Sequence, residues 1–238
     1  MEKGKRTREQ EEELVTKFVI ALISECCEFK FEYPVINELP EYININADKA
    51  WANLMSEQIE YVPSSDDQPK LIFPGAFNPL HDGHEAMSKL AEQETGEKTF
   101  FEICIQNVDK PPLSYHQIDK TIAQFKSSQN WVLTKAGKFS DKARLFPNST
   151  FIIGADTLVR IFDERFYASR SDMLAEFDIF NQNSIGFLVF GRKYQNKFLE
   201  LRDVNITDSI KSLFKGFGEN IFREDISSSS IRLENTEE

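Results

Sequence analysis

Leu71-Ile72-Phe73-Pro74-Gly75-Ala76-Phe77-Asn78-Pro79-Leu80-His81-Asp82-Gly83-His84 is the stretch around which the rest of the chain is arranged. Leu71 to Phe73 form an apolar run of the kind that fills a strand buried on both faces. A helical pattern follows from Gly83 to Glu94, with Ala86, Met87, Leu90 and Ala91 turned to one side. The order is therefore strand, tight loop, helix. Gly75 permits a sharp turn and a close backbone approach to a ligand. The start of the helix offers unpaired N–H groups and the positive end of its dipole to an anion. His81 and His84, two of the three histidines in the chain, lie in this loop. Both are able to donate to phosphate oxygens and, when protonated, to offset negative charge. Gly83 between them leaves room for a base or ribose to pack.

Working outward, the alternation of strand and helix continues. Strands are expected at Thr99 to Ile105, Trp131 to Thr134, Phe151 to Ile153 and Ser184 to Phe190. Ser114 with Gln117 three residues on forms a capping-box pattern that opens a helix running to about Lys126. A helix follows Gly154-Ala155-Asp156-Thr157. A short helix is expected over Asp208 to Phe214 and a short strand at Ile221 to Phe222. This is the pattern of an α/β, Rossmann-like fold, a parallel sheet flanked by helices. Upstream, Arg6 to Glu28 reads as an amphipathic helix whose wide apolar face predicts burial. Ile43 to Ile45 and Ile59 to Val62 are short strand candidates, and Asp48 caps a helix from Lys49 to Glu57. Pro63 to Pro69 is polar and bracketed by prolines, as in a linker. The expected division is a helical appendage with its linker at 1–66 and the main domain at 67–238.

Composition limits the function. The 238 residues are 40% apolar and 28% charged, in the range of a globular protein. A net charge of −11 argues against non-specific nucleic-acid binding and against anionic membranes. It permits a phosphorylated small molecule held by a few local donors. Cys26, Cys27 and Cys104 are odd in number, with two adjacent, so a disulfide framework is not expected and a reducing, cytoplasmic compartment is, with the nucleus left open. Lys17, Ser24 and Glu25 interrupt the apolar stretch Val15 to Cys27, which is too short to span a bilayer. No metal-ligand spacing is present. Homo-oligomerisation is left open.

Near the C-terminus, Ser227-Ser228-Ser229-Ser230-Ile231-Arg232 offers hydroxyls, backbone N–H groups and a guanidinium fork together. That set suits a polyphosphate tail. Arg192, just after the strand at 184–190, falls where the carboxyl edge of the sheet faces the loop.

With these strings in the order loop, Gly-Ala-Asp, serine-arginine, the chain resembles the nucleotidylyltransferase superfamily with the H-x-G-H signature. The loop is similar to its GxFNPxHxGH form, and Ile226 to Arg232 to its ISSSxIR form. Phe151 to Leu158 looks like the GADxL segment of nicotinamide and nicotinate mononucleotide adenylyltransferases, and Lys110-Pro111-Pro112 like their lysine-bearing loop. Phe162 to Tyr167 resembles a eukaryotic-type subgroup. The resemblance covers roughly residues 70 to 232. It implies that ATP and a mononucleotide give a dinucleotide and pyrophosphate, with Mg²⁺ helping to hold the phosphates. It further implies that His81 and His84 contact the ATP phosphates and that Gly75, Ala76, Phe77, Asn78 and Gly83 line the nucleotide. Lys110 then reaches the acceptor phosphate, Gly154 and Asp156 hold a ribose, and Ser228, Ser229 and Arg232 hold the β- and γ-phosphates. One departure stands out: the family's stacking tryptophan after GADxL is absent, leaving Tyr167, Phe166 or Trp131 as candidates. Other acceptors (phosphopantetheine, an alcohol phosphate, FMN), CTP in place of ATP, and a non-catalytic nucleotide binder stay open.

Overall fold

The computed structural model describes residues 6–29, 46–106, 111–194, 197–226, 228 and 231–232. The chain divides into two units, Met1–Asn44 and Ile45–Glu238. In the first, α1 (Arg8–Cys26) opens with a capping box: Thr7 Oγ1 accepts from the Gln10 N–H, and the Gln10 side chain accepts from the Thr7 N–H. The burial expected of its apolar face is only partial: Leu14, Phe18 and Ala21 are half-buried, while Val15, Val19, Ile20, Leu22 and Ile23 are exposed. The described part of this unit is a single helix, which has no second layer of its own to pack on. Among the described residues no helix is long and apolar enough to cross a membrane.

The second unit is built on a seven-stranded sheet. Its strands are β1 (Tyr61–Pro63), β2 (Leu71–Pro74), β3 (Thr99–Cys104), β4 (Asn130–Thr134), β5 (Thr150–Gly154), β6 (Gly186–Phe190) and, after a separate pair, β7 (Arg192–Tyr194) with β8 (Lys197–Leu199), the edge strand β9 (Phe214–Phe217). The spatial order is β1-β4-β3-β2-β5-β6-β9. All neighbours are parallel except β1, which runs antiparallel to β4. Helices α2 (Lys49–Met55), α3 (Asp82–Thr95), α4 (Tyr115–Ile122), α5 (Phe139–Leu145), α6 (Ala155–Ile161) and α7 (Arg170–Gln182) complete it. From β2 the chain moves one way to β3 and β4; β5 then returns to the other side of β2 and the chain continues outward through β6. The order therefore reverses between β2 and β5, and the carboxyl ends of these two strands border a crevice suited to a ligand.

Apolar side chains alternate to the two faces of the sheet. One face gathers Ile72, Phe100, Phe151, Phe177 and Phe187, and the other Phe73, Phe77, Phe101, Phe190 and Phe217. Rings in register across β6 and β9 stack: Phe187 on Phe214 at 4.8 Å, and Phe190 on Phe217 at 4.6 Å. Such cross-strand aromatic pairs hold β9 in the sheet.

Several expectations are corrected. Phe214 opens a strand, and the helix expected over Asp208 to Phe214 is one 3-10 turn, Lys211–Leu213. The stacking that decides this is tertiary. Ile221 and Phe222 lie in a turn, with both N–H groups on Gly218 O. The domain boundary falls at 44/45 and not at 66/67, because β1 pairs with β4 and Leu54 of α2 is buried in the core. Ser64, expected in a linker, is stitched to the sheet: its N–H donates to Trp131 O and its Oγ accepts from the Trp131 N–H, both at 2.8 Å. The strand expected at 43–45 lies outside the described residues.

Glu102 of β3 and Lys142 of α5 are a charged pair inside the core, 1% and 4% exposed. Lys142 Nζ donates to Glu102 Oε1 and to Ala136 O, each at 2.6 Å, and the Thr134 hydroxyl donates to the same carboxylate oxygen. Removing one partner strands the other charge in low dielectric, which costs more than the pair itself contributes. Lys142→Met is therefore expected to lower unfolding free energy by about 3–5 kcal/mol in urea titrations. Combining it with Glu102→Leu is expected to restore most of that; a double variant as unstable as the single one would assign the loss to packing.

Candidate functional site

The loop between β2 and α3 is shaped by its own sequence. A Cβ on Gly75 would stand 2.6 Å from the Phe77 ring, so the residue has to be glycine for the ring to fold beneath the loop. The Gly75 N–H donates to Glu102 O at 3.0 Å, which ties the loop to the end of β3. Phe77 has a φ of 44°, a left-handed conformation that few residues with side chains adopt. Burial holds it there: the ring is 1% exposed and meets Phe73, Phe101, Phe125 and His84 edge to face.

Side chains from two remote segments then bind the turn from Phe77 to Leu80. Gln124 Nε2 donates to Phe77 O, and Gln124 Oε1 accepts from the Leu80 N–H, both at 2.9 Å. The Ser228 hydroxyl donates to Pro79 O at 3.0 Å, and the Arg232 guanidinium donates to Asn78 O. Gln124 is free to do this because α4 ends at Ile122 and not near Lys126; Phe125 closes a turn on Ile122 O.

The two histidines lie at the mouth of α3, His81 as its N-cap and His84 in its first turn. Their rings stack, with centroids 3.8 Å apart and planes 26° from parallel. The His81 N–H donates to His84 Nδ1 at 3.3 Å, so the proton of a neutral His84 ring resides on Nε2. Both ring nitrogens of His81 are buried without a hydrogen-bond partner. Burial, then the neighbouring His81 and Arg192, push the His84 pKa down to about 3. Burial first, then Arg192, lower that of His81, against a smaller opposing pull from Asp82. The pair is neutral at pH 7 in the free protein, so the charge neutralisation expected of protonated histidines is not in place before a ligand arrives.

These rings face a cleft that holds about 350 Å³ of empty space, solvent at its mouth included. Gly83, Gly154, Gly191 and Arg192 line it together with Phe222, Glu224 and Ile226. Arg192, at the start of β7, lies with Nη1 3.8 Å from Asp156 Oδ1. A Cβ on Gly154 would stand 2.4 Å from that same oxygen, so glycine there lets the Asp156 carboxylate fold back over the end of β5. Asp156 Oδ1 is buried and accepts no hydrogen bond.

The structure thus brings His81, His84, Gly83, Gly154 and Arg192 to one cleft, with Asp156 beside it and Ser228 and Arg232 on the adjoining turn. Ala76 and Asn78 are exposed on the loop. Lys110 and Ser229 lie outside the described residues. Of the candidate stacking rings, Tyr167 is committed to the core. Its hydroxyl donates to Ile161 O at 2.6 Å, its ring meets Phe177, and burial pushes its pKa up to about 12. Trp131 packs against the sheet core, while Phe166 is exposed beneath the Arg160 guanidinium. Sequence reasoning missed Gln124, Phe222 and Glu224 as neighbours of the site, while Ile226 entered as the first residue of the C-terminal string. Nearness of Phe222 and Glu224 to the serine string was the one available signal; Gln124 had none.

A mostly parallel α/β sheet whose switch point carries two histidines, an arginine and a glycine-lined crevice is an architecture that binds ligands at that point. The family model described as Cytidylyltransferase-like matches residues 72–234, more than half of the chain, and the chain belongs to that family. No curated protein matches the sequence. Among solved structures it is distantly similar to nicotinic acid mononucleotide adenylyltransferase of Plasmodium falciparum complexed with NaAD, at 18% identity and a TM-score of 0.41. The same enzyme complexed with APC is similar at 17% identity and a TM-score of 0.39; each comparison covers 70% of this chain and 83% of the other.

The depressed histidines make stability depend on pH. An unfolded histidine takes its proton near pH 6.5, well above the folded value of about 3 for His84. The contribution of the neutral ring is complete above about pH 6.5 and is lost as the pH falls from there toward 3, where the unfolded chain binds the extra proton. The urea midpoint of the wild type is expected to fall more steeply between pH 6.5 and 4 than that of His84→Gln. Parallel pH profiles would contradict a neutral, buried His84.

Proposed function

We propose that this protein transfers an adenylyl group from ATP to the phosphate of nicotinamide mononucleotide, releasing pyrophosphate and forming NAD. The observation that carries the transfer chemistry is the cluster of His81, His84 and Arg192 at the sheet's switch point, with Ser228 and Arg232 docked on the adjoining turn. The pyridine mononucleotide acceptor is supported by the Gly154-Ala155-Asp156 segment at the cleft edge.

In this reading an oxygen of the acceptor phosphate attacks the α-phosphorus of ATP in line. The bond from that phosphorus to the bridging oxygen breaks, and the electron pair leaves with pyrophosphate. No side chain is covalently modified, so the residues act by positioning and by stabilising charge. Neutral His84 donates from Nε2, and an arriving triphosphate, as a nearby negative charge, shifts the His81 imidazole, whose ring nitrogens have no hydrogen-bond partner, toward its protonated form. Arg192 adds a fixed cation, and Arg232 a second at the polyphosphate end. Lys110 is the proposed contact to the acceptor phosphate, and Ser229 joins Ser228 on the polyphosphate.

Among the described residues no three His, Cys, Asp or Glu side chains cluster to hold a metal. Glu224 does line the cleft, and Asp156 Oδ1, buried without a hydrogen bond, lies at the cleft edge near Arg192. That donor set fits Mg²⁺, which takes one or two carboxylates, keeps several waters and arrives with the nucleotide phosphates. Glu224 and Asp156 would hold Mg²⁺ there, and it would supply neutralisation of the phosphate charge.

The test is pyrophosphate release and product mass with ATP or CTP against a panel of phosphorylated acceptors. NAD from ATP and nicotinamide mononucleotide is the expected product; ATP binding with no pyrophosphate from any acceptor would sink the reading. His84→Ala is expected to lower kcat by roughly 10²–10³ with ATP affinity nearly intact. Arg232→Ala, which removes a charged hydrogen-bond donor, is expected to raise KM for ATP on the order of 10-fold. Unchanged kinetics in Arg232→Ala would place that residue outside the reaction.

A further inference from the structure

We propose that Gln124 is a positioning residue for the nucleotide, acting through the loop and not by contact with the substrate. This rests on the function proposed above. The amide spans the turn as a paired strand would. Its Nε2 donates to Phe77 O and its Oε1 accepts from the Leu80 N–H, both at 2.9 Å. One planar group thereby fixes both ends of the segment that precedes His81. A second Nε2 contact, to Thr121 O at 3.3 Å, anchors the amide to α4. The far ends of the loop are held independently, by Gly75 on Glu102 O and by His81 and His84 on each other. Only the Gln124, Ser228 and Arg232 side chains hydrogen-bond to the main chain of the stretch between them, among the described residues.

The geometry needs a donor and an acceptor on one flat group, at glutamine's reach. Methionine keeps the length and loses both functions. Glutamate keeps the acceptor for Leu80 but, when ionised, turns a second oxygen toward the Phe77 carbonyl, and two acceptors repel. A protonated glutamate restores the pattern, because a neutral carboxylic acid has one O–H donor and one C=O acceptor. This gives a signature that loss of packing does not produce.

The experiment measures kcat, KM for ATP and ATP affinity for wild type, Gln124→Met and Gln124→Glu from pH 8 down to about 5, per mole of folded protein. Gln124→Met is expected to lose about 10- to 100-fold in kcat/KM, as small misplacements of positioning elements do. Gln124→Glu is expected to be impaired at pH 8 and to recover relative to wild type as the pH falls through the carboxyl's titration. A Gln124→Glu to wild-type ratio that is flat with pH, or a Gln124→Met variant with wild-type kinetics, would overturn the proposal. If the wild type binds ATP but releases no pyrophosphate, the proposed function fails separately. ATP affinity then decides: about 10-fold weaker binding by Gln124→Met upholds the positioning role, and equal binding by it overturns that role, as does a wild type that binds no ATP.

Discussion

The turn from Phe77 to Leu80 presents main-chain groups that other parts of the chain must satisfy, and much of the second unit is arranged so that they are. Buried or half-buried backbone groups need partners. Here the partners are side chains: Gln124 from the end of α4, and Ser228 and Arg232 from the C-terminal string. Each comes from a segment that the sheet brings alongside the end of β2. The left-handed Phe77 belongs to the same constraint. Its ring is sunk among Phe73, Phe101 and Phe125, which turns its carbonyl to where the amide of Gln124 meets it. Loop, core and C-terminal string are one device in which each part restrains the others.

The electrostatics of the cleft follow from that packing. Folding Phe77 under the loop also walls in His84, and desolvation is the largest cause of its lowered pKa. The electrostatic influence of the neighbouring His81 and of Arg192 acts in the same direction. The free site is therefore a set of neutral donors beside a permanent guanidinium. The −11 net charge of the chain does not oppose anion binding here, since what counts is the local field of Arg192 and the start of α3. Asp156 lies at the cleft edge with Oδ1 3.8 Å from Arg192 Nη1, and Glu224 lines the cleft.

The loop was legible in the sequence because its elements are local. An apolar triplet, a glycine, two histidines and an amphipathic run define strand, turn and helix without reference to the rest of the chain. The parallel strands β3, β4, β5 and β6 were legible for the same reason. Arg192 was placed from its position after β6, and the Ser114 cap from its partner three residues on. The misread elements depend on remote partners. Phe214 to Phe217 is short, polar at one position and broken by Gly216, yet stacking on Phe187 and Phe190 makes it a strand. The boundary expected near residue 66 fails because Tyr61 to Pro63 pairs with β4, a contact that no local pattern announces. Lys142, which no local pattern singles out, is buried opposite Glu102 of β3.

What the sequence determined by itself is the α/β class, the anion-suited loop and the identities of its histidines, because hydrophobic period, glycine placement and helix capping act over a few residues. What only the tertiary structure decided is how that loop is held and charged. The reach of Gln124 across to Phe77 and Leu80, the docking of Ser228 and Arg232, and the neutral state of His84 all come from groups brought together by the sheet. Hydrogen bonding and desolvation act through space, and their partners here stand far apart along the chain.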